Sequence, residues 1–243
     1  MSQPLALTGY DAVSFDCYGT LIDWERGFLT VLRDWAQRQG LTVDDETLLT
    51  TYGRHEERLE ADHPTMLYPD VLRAAMTGLG ADLGAEVSPS DADALATSIP
   101  DWPAFEDSTA ALAALGERYK LVILSNVDRT SFAGSNARLG VTFDRVITAQ
   151  DVGSYKPSPR NFDALLTATD ELGVPRGRLL HVAQSLFHDH VAAKAAGLPT
   201  VWINRRAGRD GWGATPPPSA PVTPDATYPS MAAFAAVVTA AFA

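Results

Sequence analysis

Five short runs of apolar, largely β-branched residues punctuate the chain, at residues 12–16, 121–125, 145–148, 179–183 and 200–203. They are nearly continuous in apolar character rather than alternating, which is the pattern of strands covered on both faces in a parallel sheet. Between them, apolar positions recur at helical spacing over residues 108–118, 162–172 and 188–196, the last closed by Gly197. Strand, helix and strand in alternation predict an α/β fold built on a doubly wound parallel sheet. The closing run MAAFAAVVTAAFA is shorter than the roughly 20 residues of a membrane span. It reads as a helix that docks on the domain.

One segment departs from this rhythm. After the first predicted strand, residues 24–103 pass without a strand pattern, and helical patterns occupy 26–38, 45–61, 69–79 and 91–98. Gly40, Pro64 and Pro89 separate them. The expected organisation is an α/β core of residues 1–23 and 104–243 carrying an inserted helical cap, residues 24–103. Ligands of open α/β sheets bind at the carboxyl ends of the strands, so a cap inserted after the first strand covers the expected site. Residues 208–229, rich in Pro and Gly, read as a surface loop.

Composition narrows the function classes. The chain has 243 residues, 46% of them hydrophobic and 20% charged, as in globular domains. A formal charge of -11 argues against a non-specific nucleic-acid binder, which needs a basic face. It also means that an anionic ligand must be held by local groups. A single cysteine, Cys17, excludes an intrachain disulfide and reads as a small buried filler. The first residues lack the pattern of a secretory leader, so a cytoplasmic protein is expected. Neither a P-loop nor a GxGxxG fingerprint follows a strand.

Candidate chemistry gathers where the strands end. Strand one runs into Asp16-Cys17-Tyr18-Gly19-Thr20-Leu21, and strand two ends in Ser125-Asn126. Lys156-Pro157 follows strand three, and strand four runs into Ala183-Gln184-Ser185-Leu186, with Asp189 beyond. These ends share one edge of a parallel sheet. Taken singly, Asp16, Ser125 and Asn126 read as turn residues, Lys156 as a surface lysine, and Asp189 as an acid in the first turn of a helix.

Together, the four blocks resemble those of the haloacid dehalogenase superfamily, in order and spanning nearly the whole chain. Phosphatases of that superfamily carry a second Asp two residues after the nucleophile, where this chain has Tyr18, and a magnesium-binding Asp where it has Gln184. A phenol is a poor acid at neutral pH, and a neutral amide is a poor ligand for a hard cation. Halide displacement needs neither a protonated leaving group nor a metal. The first block and the run Gly197-Leu198-Pro199-Thr200-Val201-Trp202-Ile203-Asn204-Arg205 resemble those of the (S)-2-haloacid dehalogenases.

That resemblance implies a hydrolase without cofactor, acting on a small anionic organic acid and often dimeric. Asp16 attacks C2 of a 2-haloacid to form an aspartyl ester, and water then hydrolyses the ester. Lys156 keeps Asp16 ionised, and Asp189 orients Lys156 or the water. Tyr18, Ser125, Asn126, Gln184 and Ser185 are the expected substrate-binding residues. Family members receive the halide on a cap arginine, for which Arg54 is the local match and Arg58 the competitor. The chain departs from the family where Val127-Asp128-Arg129 follows Ser125-Asn126, and in the run His188-Asp189-His190. The alternative reading is a magnesium-dependent phosphatase, or a hydrolase of a non-halogenated acid.

Overall fold

The computed structural model describes residues 5–243. Six strands, β1 Ala12–Phe15, β2 Lys120–Ser125, β3 Arg145–Thr148, β4 Leu179–Ala183, β5 Thr200–Ile203 and β6 Ala226–Tyr228, form one sheet. Its order is β3-β2-β1-β4-β5-β6, and each neighbouring pair is parallel. The chain starts in the middle of the sheet, winds out through β2 and β3, then returns to the other side of β1. The reversal lies between β1 and β4, and a crevice opens there at the carboxyl ends.

Alternation along β1 distributes the core. Val13 and Phe15 enter the larger apolar cluster and Ala12 the smaller one on the opposite face. Helices α5 Ser108–Gly116 and α10 Met231–Ala241 carry Leu112, Leu115, Phe234 and Val238 into the larger cluster. On the other face, α8 Pro159–Glu171 and α9 Val191–Ala195 contribute Phe162, Leu165 and Ala193. Helices α6 Arg129–Leu139 and α7 Ala149–Val152 start at the ends of β2 and β3. Their caps are Asp128, which accepts from Thr130 N and Ser131 N, and Thr148, in a capping box with Asp151.

Four helices fill the insertion, α1 Trp24–Arg38, α2 Asp45–Asp62, α3 Tyr68–Leu83 and α4 Pro89–Thr97. Asp23 caps α1, Asp44 caps α2, and Ser88 forms a capping box with Asp91 on α4. Aromatic packing ties the insertion to the core. Tyr18 meets Trp102 edge-on at 5.4 Å and stacks on Tyr68 at 6.1 Å, while Phe28 lies 4.8 Å from Trp102. The approach requires Gly27, since a Cβ there would sit 2.2 Å from the Trp102 ring.

Two expectations need correction. Residues 208–229 are not all loop, because β6 forms within them. Three residues long and only partly buried, β6 pairs with β5 alone, so it carries no apolar run to betray it. The helix expected over 188–196 instead opens as a wide π-turn, Leu186–His190, before α9. Ser185 Oγ accepts from His188 N, and the His190 ring meets the Ala183 carbonyl at 3.0 Å, which fixes that turn on the end of β4. Among the described residues no helix is long and apolar enough to cross a membrane. Residues 1–4, which open the segment read for a leader, lie outside the described part.

Candidate active site

The crevice at the ends of β1 and β4 closes into a cavity beneath the helical insertion. The sheet side supplies Asp16, Tyr18, Asn126, Lys156, Ser185, His188 and Asp189. The insertion supplies Trp24, Glu56, Glu60 and Tyr68, and the segment after β5 adds Thr215. Of the expected residues, Asp16, Tyr18, Asn126, Lys156, Ser185 and Asp189 line this cavity, whereas Arg54, Ser125 and Gln184 do not.

Asp16 is the first residue past β1. Its Oδ1 accepts from Lys156 Nζ at 2.9 Å and its Oδ2 from Thr20 Oγ1 at 2.7 Å. Gly19, at φ +87°, turns the chain so that Thr20 comes back within reach. Thr20 Oγ1 in turn accepts from Gln184 N at 2.9 Å, so the ends of β1 and β4 hold each other. Burial, with Asp189 adding to it, raises the Asp16 carboxyl above its ordinary value, and the ammonium of Lys156 and the Thr20 hydroxyl limit the rise. With the ammonium in contact, the carboxylate form is the one this site supports.

Lys156 is buried and fully committed. Its three N–H groups donate to Asp16 Oδ1, to Asp189 Oδ1 at 2.7 Å and to the Leu124 carbonyl at 3.0 Å. Burial opposes its charge, but the two carboxylates outweigh that penalty and raise its pKa. Asp189 shows the reverse balance. Burial would raise it, yet Lys156 and His181 hold it well below the usual carboxylate range.

His181, in the middle of β4, is a site residue that the sequence did not single out. Its Nε2 lies 3.1 Å from Asp189 Oδ1 and its Nδ1 2.9 Å from Ser14 Oγ, all buried. An ionised Asp189 only accepts, so His181 Nε2–H donates to it. Asp189 Oδ2 has no protein partner.

The other expected residues divide. Asn126 joins sheet to insertion: its Nδ2 donates to Glu60 Oε2 and to the Lys156 carbonyl, both at 3.0 Å. Its Oδ1 accepts from Lys156 N at 2.6 Å. Ser185 lines the cavity and bonds His188 Nδ1 at 3.1 Å. Tyr18 lines it too, with its hydroxyl engaged at 2.8 Å by Ser135 of α6. Ser125 is buried at the end of β2, and its hydroxyl finds no partner.

Gln184 and Arg54 are displaced from their expected places. The Gln184 side chain faces a neighbouring cleft with Gly19, Trp24 and Arg205, and its Oε1 accepts from Thr215 Oγ1 at 3.3 Å. Arg54 lies on the outer face of α2, 67% exposed, and pairs with Asp82 of α3 at 2.6 Å. Arg58, one turn on, is 81% exposed beside Asp62. Helical phase explains both: the inner face of α2 is Leu48, Leu49, Tyr52, Gly53, Glu56 and Glu60.

Instead of a cation, α2 therefore turns two carboxyl groups into the cavity. Glu56 Oε1 accepts from Tyr68 at 2.8 Å and from Tyr52 at 3.1 Å. Burial pushes its pKa up to about 7, the phenols moderating the rise. Burial, with Glu56 adding to it, raises Glu60 well above the carboxylate range. His188 Nε2 lies 3.9 Å from Glu60 Oε2, and burial lowers that imidazole to about 4.

A magnesium ion does not fit these donors. Lys156 fills the bridge between Asp16 and Asp189. Gln184, a neutral amide and a poor ligand for a hard cation, turns into the neighbouring cleft.

Comparison with known proteins agrees with this architecture. Residues 10–197 match the family described as haloacid dehalogenase-like hydrolase. An (S)-2-haloacid dehalogenase of Pseudomonas sp. (strain YL) is 30% identical over 79% of this chain and 82% of its own length. The validoxylamine A 7'-phosphate phosphatase of Streptomyces hygroscopicus subsp. limoneus is 29% identical over 80% of this chain and 85% of its own. The crystal structure of a defluorinating L-2-haloacid dehalogenase superposes with a TM-score of 0.76 at 23% identity, covering 98% of this chain and all of the other.

Proposed function

We propose that this chain, which belongs to the haloacid dehalogenase-like hydrolase family, displaces halide from a short 2-haloalkanoic acid through an ester on Asp16. The observation that carries the reading is Lys156 Nζ held 2.9 Å from Asp16 Oδ1 and 2.7 Å from Asp189 Oδ1 in a cavity closed by the insertion. That arrangement keeps an anionic carboxylate dry, oriented and nucleophilic without a metal. The (S)-2-haloacid dehalogenase relative supports the substrate class.

An Asp16 oxygen attacks C2, the carbon–halogen bond breaks, and its electron pair leaves with the halide. Water then adds to Cγ of Asp16. The C2–O bond stays intact, Asp16 is regenerated as a carboxylate, and a 2-hydroxy acid and a proton leave. Asp189, with Oδ2 free of protein partners and the residue at the cavity wall, orients that water. His181 fixes Asp189 from behind.

The phosphatase alternative draws on the similarity to the validoxylamine A 7'-phosphate phosphatase. Against it stand Tyr18, whose phenol burial pushes further up, and the donor set that does not fit magnesium.

The deciding measurement is halide release from fluoro-, chloro- and bromo-2-alkanoic acids, both enantiomers, with EDTA present. Wild type releases halide, and Asp16→Asn is slower by roughly three orders of magnitude or more. A single turnover in H₂¹⁸O with enzyme in excess places the label in Asp16. Phosphate-ester hydrolysis that EDTA abolishes, without halide release, overturns the proposal.

A further inference from the structure

A small anion entering this cavity meets an unusual wall. The acids Asp16, Asp189, Glu56 and Glu60 surround one ammonium, whose three N–H groups are already taken. The cap arginines at 54 and 58 point outward. Of the donors beside Glu60, both amide hydrogens of Asn126 are used, and the Tyr52 and Tyr68 hydroxyls donate to Glu56. Glu60 stands where a cation is wanted, held by Asn126 on Oε2 and flanked by His188.

We propose that Glu60 receives the anion as a neutral carboxylic acid, its O–H donating to the ligand, so that the enzyme binds a small anion only together with a proton. This deepens the dehalogenase reading and rests on it for the identity of the anion, a halide ion or the carboxylate of a 2-hydroxy acid. Oε2 already accepts from Asn126, which leaves Oε1 to carry the proton. An ionised Glu60 repels the anion and is itself buried without a cation to spare. A protonated one supplies a short, strong donor at the same place. Burial, with Glu56 and Glu57 beside it, favours the protonated form and outweighs the opposing pull of Lys156 and Asn126. The titratable groups that face Glu60 are Tyr52, Glu56 and Glu57 on its own helix, Tyr68 on α3, Asp16 after β1, Tyr155 and Lys156 after β3, and His188 and Asp189 on the π-turn.

The test is calorimetric binding of two probes, sodium bromide and sodium glycolate, between pH 5 and 10. In wild type, affinity is flat at low pH and then falls about tenfold per pH unit, with one proton taken up per anion on that slope. Buffers of different ionisation enthalpy read the proton directly on wild type, so no variant has to fold for the test to work. Glu60→Gln, which donates at every pH, binds without the alkaline fall, whereas Glu56→Gln keeps it. Linkage seen with bromide places Glu60 at the leaving halide, and linkage with glycolate alone places it at the substrate carboxylate. The proposal is overturned if neither probe binds, if wild type shows no proton uptake, or if Glu60→Gln keeps the alkaline fall. Halide release by wild type is scored separately. Its absence defeats the dehalogenase reading while proton-linked binding stands or falls on these affinities.

Discussion

The ammonium of Lys156 lies 2.7 Å from Asp189 Oδ1, and neither side chain is more than 1% exposed. The same ammonium holds Asp16, so a single cation balances two buried carboxylates. Lys156→Met keeps the volume and removes the charge. It leaves both acids uncompensated, a change that costs about 3–5 kcal/mol. In this variant the folded-state carboxyl pKa values lie far above their unfolded values, so the penalty shrinks as pH falls towards the ordinary carboxylate range. Urea unfolding at pH 8 and pH 5 checks this. An equal loss at both values means that the two acids are not the source.

Glu56 gives a second pH dependence, in wild type itself. Its pKa is raised from 4.5 to about 7 by burial. Between those values the folded protein holds a proton that the unfolded chain has released, so stability is fullest below pH 4.5 and declines up to pH 7. The decline amounts to roughly 3 kcal/mol. Glu56→Gln removes it while retaining acceptors for Tyr52 and Tyr68. The expected result is a melting temperature for the variant that changes less between pH 5 and 8 than that of wild type. Parallel profiles would rule out Glu56 as the titrating group.

Tyr18 occupies the place where phosphatases of the superfamily carry their acid, yet its hydroxyl is spoken for by Ser135. The ring itself stacks on Tyr68 and meets Trp102 edge-on. Tyr18→Phe retains the packing and strands the Ser135 hydroxyl, at a cost of about 1–2 kcal/mol. Turnover stays within threefold of wild type, as steady-state halide release will show. A hundredfold loss of turnover in a folded variant assigns the phenol a direct part in the chemistry.

The strand ends were legible because a parallel sheet collects them whatever the helices do. That rule brings Asp16, Asn126, Lys156 and Asp189 to one edge, and the resemblance of the four blocks singles them out there. The helices of the insertion were legible but their inward faces were not, because a helix face is fixed by packing partners that lie elsewhere in the chain. In the run Tyr52-Gly53-Arg54-His55-Glu56-Glu57-Arg58-Leu59-Glu60 the expected ligand is Arg54, with Arg58 as competitor, and the glutamates carry no signal; the burial of Tyr52 against Phe28 turns Glu56 and Glu60 inward instead. His181 was hidden for another reason. A histidine within an apolar strand run reads as core until Ser14 and Asp189 are seen on either side of it. Arg54→Ala tests the phase directly: the exposed pair with Asp82 contributes at most about 1 kcal/mol, and halide release is unchanged. Loss of turnover would return Arg54 to the site.

The segment after β5 decides how the cavity is closed. Arg206 bonds Glu25 of α1 and Glu46 of α2, and the same two acids accept from Ala214 N and Gly213 N. This strap crosses α2 at Gly53, where a Cβ would stand 2.1 Å from the Ala214 carbonyl oxygen. Backbone cannot yield there as a flexible side chain does, so Gly53→Ala pushes the strap off the helix. Thr215 moves with it and the wall of the cavity opens. Overpacking of this kind costs about 1–3 kcal/mol. Asp16, Lys156 and Asp189 stand on the opposite side and keep their hydrogen bonds, so KM rises several-fold while kcat changes less. Faster proteolysis between residues 207 and 217 accompanies the change. If kcat falls and KM holds, the strap acts on the nucleophile rather than on access, and this account of closure fails.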